Sequence, residues 1–131
     1  MPTTGTATYS LAGATSPTYS DGRSAPGTFS GSLDVTFGGS TSVSGSFAVA
    51  MPDGKGWQWS NSTSTSTAFF AMQGQNITGS GGACGGVSTC SASVTGFFAG
   101  ASAERAGIGY LIQDSTSGTT DVVGAAALKK N

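Results

Sequence analysis

Cys84 and Cys90 are the two cysteines of the chain, and five residues separate them in the segment GGACGGVSTCS. Glycines and serines on both sides allow the backbone to fold back, and a disulfide closing so short a loop would stabilise the fold by about 2.4 kcal/mol in the chain-entropy model. Zinc is a rival interpretation, but a tetrahedral site takes four ligands and the chain has no histidine and no third cysteine. A pair of free thiols is the remaining alternative. We predict the disulfide, and with it an oxidising compartment.

The other side chains that could do chemistry do not combine into a catalytic pattern. A serine nucleophile needs a base, and the many serines of this chain have no histidine to serve them. Hydrolysis by paired carboxylates needs two acids across a cleft. The six carboxylates are spread over predicted turns and strand faces: Asp21, Asp34, Asp53, Glu104, Asp114 and Asp121. Asp34 and Glu104 could meet, but we expect solvated carboxylates and a protein that is not an enzyme.

Trp57 and Trp59 are the first candidates for contact with a ligand or a partner. They share one face of a predicted strand next to Lys55, and two indoles so placed could stack on a sugar, on a haem edge or on a side chain of another protein. Packing in the core is the competing interpretation, and it is the commoner fate of such residues. Arg105 is the third candidate, with a local salt bridge to Glu104 as its alternative role.

No motif indicates a bound cofactor. Haem ligation without histidine would fall to Met51, Met72, a cysteine or a tyrosine, and none of them lies in a ligand motif, so we expect no tight haem binding. The glycine-rich run 79–86 does not precede a predicted helix, so it is not interpreted as a phosphate-binding loop. The net charge is −1 and no basic block occurs, which removes the electrostatic term that drives nucleic-acid binding.

The elements that must position these residues are alternating strands. Apolar residues alternate with serine, threonine and aspartate over 29–37, residues 38–40 make a tight turn, and the alternation resumes over 43–49. About eight such strands, separated by glycine, proline and asparagine or aspartate turns, predict an all-β fold with one buried and one wet face. The pattern is typical of an antiparallel up-and-down β-barrel or of a β-sandwich, and the family resemblance described below decides our prediction for the barrel.

One short helical turn is predicted over 101–106, which is a run of good helix formers between Gly100 and Gly107. Gly107 is expected to end it in a left-handed conformation. The length of 131 residues fits one domain, 1–131. No apolar run of about 18 residues predicts a transmembrane helix. Residues 1–4 lack the regions of a signal peptide, so we expect an excised module of a longer protein.

The segment 96–129 resembles a known family. Its string G-F-F-A-G-x-x-A-E-R-A-G-I-G-Y, followed by V-V-G-A-A-A, is similar to the last strands of the small β-barrel of transferrin-binding protein B. It is still more similar to a barrel module appended to some FecR-family envelope proteins of bacteria. Relatives usually end on an aromatic residue where this chain has Leu128. The resemblance covers about the last third of the chain and implies the barrel fold.

The resemblance also implies a place in the cell and a type of function. We expect a non-catalytic envelope module, in the periplasm or at the cell surface of a Gram-negative bacterium, which presents loops for protein binding or signalling and has a possible role in iron acquisition. Its partner would be another envelope protein or a host protein, met by the segments 13–28, 61–67 or 79–90. Two alternatives are a structural or adhesin spacer and a lipocalin-like small-molecule carrier. The carrier would need a cavity lined by an alternating aromatic set: Tyr9, Phe29, Phe37, Phe47, Trp57 and Tyr110.

Overall fold

A computed structural model describes residues 1–74, 77–85, 89–116 and 120–131. These residues form an antiparallel all-β barrel, which confirms the predicted fold class. None of them belongs to a helix with the length and hydropathy needed to cross a bilayer. The strands are β1 (Thr6–Ala14), β2 (Thr18–Tyr19), β3 (Thr28–Thr36), β4 (Thr41–Ala50), β5 (Gly56–Thr65), β6 (Phe69–Gly74), β7 (Ile77–Ser80), β8 (Cys90–Ala99), β9 (Arg105–Asp114) and β10 (Thr120–Lys130).

The strands pair in the order β6-β8-β9-β10-β1-β3-β4-β5-β7, and the short β2 pairs with β10. β6 and β7 follow each other along the chain, but β6 pairs with β8 whereas β7 pairs with β5. Together they take one strand position between β5 and β8. The barrel is therefore nearly closed around eight positions. Within the described residues no backbone ladder joins β5 to β6 or β7 to β8, so the wall is incompletely paired at this one strand position.

Strict alternation of inward and outward residues explains why these segments form strands. In β4 the residues Val43, Phe47 and Val49 point inward and are buried, whereas Ser42 and Ser46 point outward and are exposed. The cross-strand partners follow the same rule, since Phe47 faces Trp59 and Ser46 faces Ser60 in the β4–β5 ladder. Because apolar residues alternate with polar ones, each strand has one apolar face. A closed sheet turns the apolar faces of all its strands toward one shared interior, where they are buried.

Aromatic rings fill the interior of the barrel. Phe29 stacks on Tyr110 with ring centroids 4.6 Å apart, and Phe47 lies 5.4 Å from Trp59. Glycine provides the space for these rings, because a side chain on the inward Gly124 would collide with the ring of Tyr110. The six residues of the expected carrier cavity, Tyr9, Phe29, Phe37, Phe47, Trp57 and Tyr110, are all buried core residues.

The two ends of the barrel carry different connections. Segment 15–27, which includes β2, and the connection 51–55 lie at one end, which we call the loop end, together with residues 81–85, 89, 115 and 116. The short connections 37–40, 66–68 and 100–104 lie at the other end with both chain termini, and we call it the turn end. Residues 86–88 of the predicted cysteine loop 79–90 lie outside the described residues.

The short helical turn predicted over 101–106 is wrong. β8 and β9 pair as far as Ala99 and Arg105, so five residues connect them and a helix does not fit. Gly100 and Ala103 take positive φ angles of 93° and 54° instead. The helix propensity of these residues cannot offset the cost of nucleating so short a helix. The chain therefore pairs in the sheet as far as Ala99 and Arg105 instead of forming a helical turn.

The left-handed conformation expected at Gly107 is also wrong. Gly107 lies inside β9, where it pairs with Phe97 and Ala127 and has no positive φ. The segment 61–67 differs from its prediction as well, because β5 continues to Thr65 and only residues 66–68 turn. Pairing of residues 61–65 with 41–45 of β4 holds this polar stretch in the sheet, although its composition is that of a loop.

Two glycine substitutions compare the cost of adding a side chain beside a buried ring with the cost of adding one beside an exposed ring. We expect Gly124→Val to lower the free energy of unfolding by about 1–3 kcal/mol, because the buried ring of Tyr110 has nowhere to move. Gly107→Val should cost less than about 1 kcal/mol, because the ring it meets belongs to Phe97, which is 48% exposed and can swing aside. Urea denaturation of both variants measures the difference. A larger loss in Gly107→Val would contradict this account.

Candidate functional site

Asp114 organises the loop end of the barrel. It is the last residue of β9 and is only 3% exposed, yet its carboxylate accepts four hydrogen bonds. Oδ2 accepts from Nε1 of Trp57 at 3.1 Å and from the backbone N–H of Cys84 at 2.9 Å. Oδ1 accepts from the backbone N–H of Thr116 at 3.0 Å and from its hydroxyl at 2.6 Å. One side chain thus joins β5, the cysteine loop and the chain beyond β9.

These hydrogen bonds keep Asp114 ionised. Burial alone raises the pKa of this carboxyl, but the bonds donated by Thr116, by the Cys84 backbone and by Trp57 outweigh it, so the pKa lies below the usual value for aspartate. Because each oxygen already accepts two donors, the carboxylate has little capacity left to accept a proton from a substrate. The arrangement is suited to holding segments in place.

The Cys84–Cys90 disulfide is present, as predicted, with the two Cα atoms 5.4 Å apart. It joins the loop after β7 to the first residue of β8, and Cys90 is the cross-strand partner of Asp114. Both sulfurs lie within 4.8 Å of an Asp114 oxygen. Sulfurs bonded to each other are not the thiolates that bind metal, so in the oxidised protein this group is a structural cross-link.

The segment 15–27, which we call the cap, covers the loop end instead of projecting as a free loop. Tyr19 pairs with Val122 of β10 and is 3% exposed. Its ring packs edge-on against Trp57 at 6.3 Å, and its hydroxyl donates to Oδ2 of Asp53 at 2.7 Å. Burial and the bond to Asp53 together raise the pKa of Tyr19. The cap is therefore attached to β10, to β5 and to the connection 51–55.

The outer surface of the cap carries charge. The guanidinium of Arg23 forms an exposed ion pair with Asp21, lies 5.3 Å from the centroid of the Tyr19 ring and donates to the hydroxyl of Thr120 at 3.1 Å. An exposed ion pair adds little to the stability of a fold, because water screens both charges. These contacts fix where the charges stand, and both charges remain accessible to a partner.

The three sequence-predicted contact residues are not brought together. Trp57 and Trp59 are 0% and 4% exposed, so both indoles pack in the core, and Trp57 also donates to Asp114. Arg105 lies exposed at the turn end, at the opposite end of the barrel from the cap. Tyr19 and Asp114 were not among the candidates, although the sequence Asp114-Ser115-Thr116 carries the aspartate and hydroxyl residues of a side-chain-bonded turn.

Comparison with known proteins finds no match to this chain among protein-family models, curated proteins or solved structures. The expected relation to the transferrin-binding protein B barrel and to FecR-family modules therefore stays a prediction from the residues of segment 96–129.

The buried carboxylate makes the stability of the protein dependent on pH. Because the pKa of Asp114 is lower in the folded than in the unfolded chain, its stabilising effect is complete above about pH 4 and is lost as the pH falls below that value. Asp114→Asn should lower the free energy of unfolding at neutral pH by about 2–4 kcal/mol, since buried donors lose their acceptor. It should also reduce the loss of stability in acid.

The matched control is Asp34→Asn, which changes an exposed carboxylate on the outer face of β3. We expect a change within about 0.5 kcal/mol for this variant. Thermal unfolding of both variants at several pH values makes the comparison. An Asp114→Asn protein as stable as the native one, with the same acid profile, would contradict the role of the carboxylate.

The disulfide should contribute to stability even though its loop is short. We expect the double variant Cys84→Ser, Cys90→Ser to lose about 2 kcal/mol of unfolding free energy. Protein made in an oxidising compartment should be lighter than the reduced chain by the mass of two hydrogen atoms, and reduction should remove the difference. Free thiols in that preparation would refute the cross-link.

Proposed function

We propose that the protein is a non-catalytic β-barrel module of the bacterial envelope, which presents its loop end to a protein partner for binding or signalling. The observation that carries the proposal is the construction of that end. Asp114, the disulfide and Tyr19 hold the cap and the cysteine loop on a barrel whose interior is filled. A surface fixed in this way loses little conformational entropy on binding.

The exposed chemistry of the loop end fits recognition of a protein. Asp21 and Arg23 stand on the cap, and Asp53 stands on the neighbouring connection 51–55. Charges of both signs on a fixed scaffold provide orientation and specificity at the rim of an interface. The partner we propose is another envelope protein or a host protein, and iron acquisition is the physiology that the family resemblance suggests.

An envelope location is supported by two independent features. The disulfide is of the kind that persists in oxidising compartments, such as the periplasm or the cell surface of a Gram-negative bacterium. The residues of segment 96–129 resemble barrel modules of envelope proteins. A structural or adhesin spacer would share both features, so the two functions differ in whether the loop end has a specific partner.

A small-molecule carrier is the second candidate, and one observation favours it. Nε1 of Trp59 and the hydroxyl of Tyr110 are buried, and within the described residues neither has a hydrogen-bond partner. Such groups could bind a ligand or water molecules. The stacking of Phe29 on Tyr110, however, places rings in the space that a ligand would need. Native mass spectrometry of the isolated protein should show no bound small molecule, and a stoichiometric adduct would favour the carrier.

Site-specific photo-crosslinking tests the protein-binding proposal. A photoreactive residue at Ala25 of the cap should give a discrete adduct in an envelope extract of the source bacterium, and excess native protein should compete for it. The control places the same residue at Ser40, which is also exposed but lies at the turn end. Absence of a competed adduct from Ala25, or the same adduct from both positions, would refute a specific partner at the loop end.

A further inference from the structure

Two phenylalanines stand side by side on the outer face of the barrel. Phe69 of β6 and Phe97 of β8 are cross-strand partners and are 70% and 48% exposed. Phe97 lies over Gly107 of β9, where a side chain would collide with its ring. Ala127, the next residue along this row, is also small and exposed. The two rings therefore project above a row of small residues.

A basic pair lies beside these rings, one rung closer to the turn end. Arg105 of β9 and Lys129 of β10 are cross-strand partners and both are exposed. Like charges directly opposite each other disfavour a sheet. Among the described residues neither side chain forms an ion pair, since the Arg105 guanidinium donates to the Glu104 carbonyl oxygen and the one salt bridge found is at the loop end. The positive charges of Arg105 and Lys129 are therefore available to a negatively charged group outside the barrel.

The acidic and basic side chains of the whole chain are distributed unequally between the two ends of the barrel. Four of the six carboxylates, Asp21, Asp53, Asp114 and Asp121, belong to the loop end. Three of the five basic side chains, Arg105, Lys129 and Lys130, belong to the turn end. Arg23 and Lys55 also lie at the loop end, and Glu104 and Asp34 lie toward the turn end, so the loop end keeps two net negative charges and the turn end one net positive charge. The chain is modestly polarised along the barrel axis, in the sense that lets a negative surface attract it by the turn end.

We propose that this patch, defined by Phe69, Phe97, Arg105 and Lys129, is a docking site for an anionic lipid bilayer. The rings enter the boundary between headgroups and acyl chains, and the basic side chains lie among the lipid phosphates. Projecting aromatic rings next to unpaired basic residues are complementary to a surface that is apolar below and negative above. Docked in this way, the barrel meets the membrane through the part of its wall next to the turn end.

Co-sedimentation with lipid vesicles tests this proposal, using vesicles of phosphatidylglycerol and phosphatidylcholine in equal amounts and vesicles of phosphatidylcholine alone. The native protein should bind the anionic vesicles more tightly, and added salt should weaken that binding. The variant Arg105→Gln, Lys129→Gln should bind them about thirtyfold less tightly, because each basic residue near an anionic surface is worth about a factor of five. Phe69→Ser, Phe97→Ser should weaken binding to both kinds of vesicle by at least about tenfold.

Matched controls use residues outside the patch. Lys55→Gln removes one charge at the loop end, and Val123→Ser removes an exposed apolar side chain of β10; neither should alter vesicle binding. Circular dichroism establishes that each variant is folded. Native protein that does not bind anionic vesicles, or patch variants that bind as well as the controls, would overturn the proposal. Self-association that the Phe69→Ser, Phe97→Ser change abolishes, without vesicle binding, would assign the patch to a second copy of the chain instead.

Discussion

The loop end depends on the hydrogen bonds that one buried carboxylate accepts, and this carboxylate has no cationic partner in the described structure. Asp114 is acceptable in the interior because neutral donors from three parts of the chain surround it. Such an arrangement tolerates little displacement, since a donor that moves away removes one of the four hydrogen bonds that stabilise the buried charge. The positions of Trp57, of the cysteine loop and of the chain after β9 are therefore determined together, and Tyr19 extends this constraint to the cap through its contact with Trp57.

The sharing of one strand position by β6 and β7 creates two weak places in the barrel wall. One is the seam between β5 and β6, where the hydroxyls of Thr65 and Thr67 bond the backbone of Phe69 in place of a ladder. The other lies where β7 ends and the chain must reach β8. The disulfide and the Asp114 hydrogen bonds lie at this second place, so covalent and polar links strengthen the wall where backbone pairing stops.

The alternating pattern of the sequence was sufficient to predict the class of fold, because a period of two decides which residues are inward whatever the topology. It could not predict the helical turn correctly at 101–106, where pairing of Ala99 with Arg105 overrides the helix propensity of the alanines. The disulfide was predictable because only two cysteines exist and they are close in the chain. Asp114 was not predicted, since its donors come from positions as far away as Trp57, and only the folded barrel brings them together.

The pairing of β1 with β10 sets the order of events during folding. These strands hold residues from opposite ends of the described chain next to each other, and the hydroxyl of Ser10 donates to the side chain of Asn131 across a separation of 121 residues. Contacts so distant form slowly, and β1 has no complete pair of neighbours until β10 has been made. Local hairpins such as β3–β4 can pair early, but the barrel closes only after β10, the last strand along the described chain, has been made.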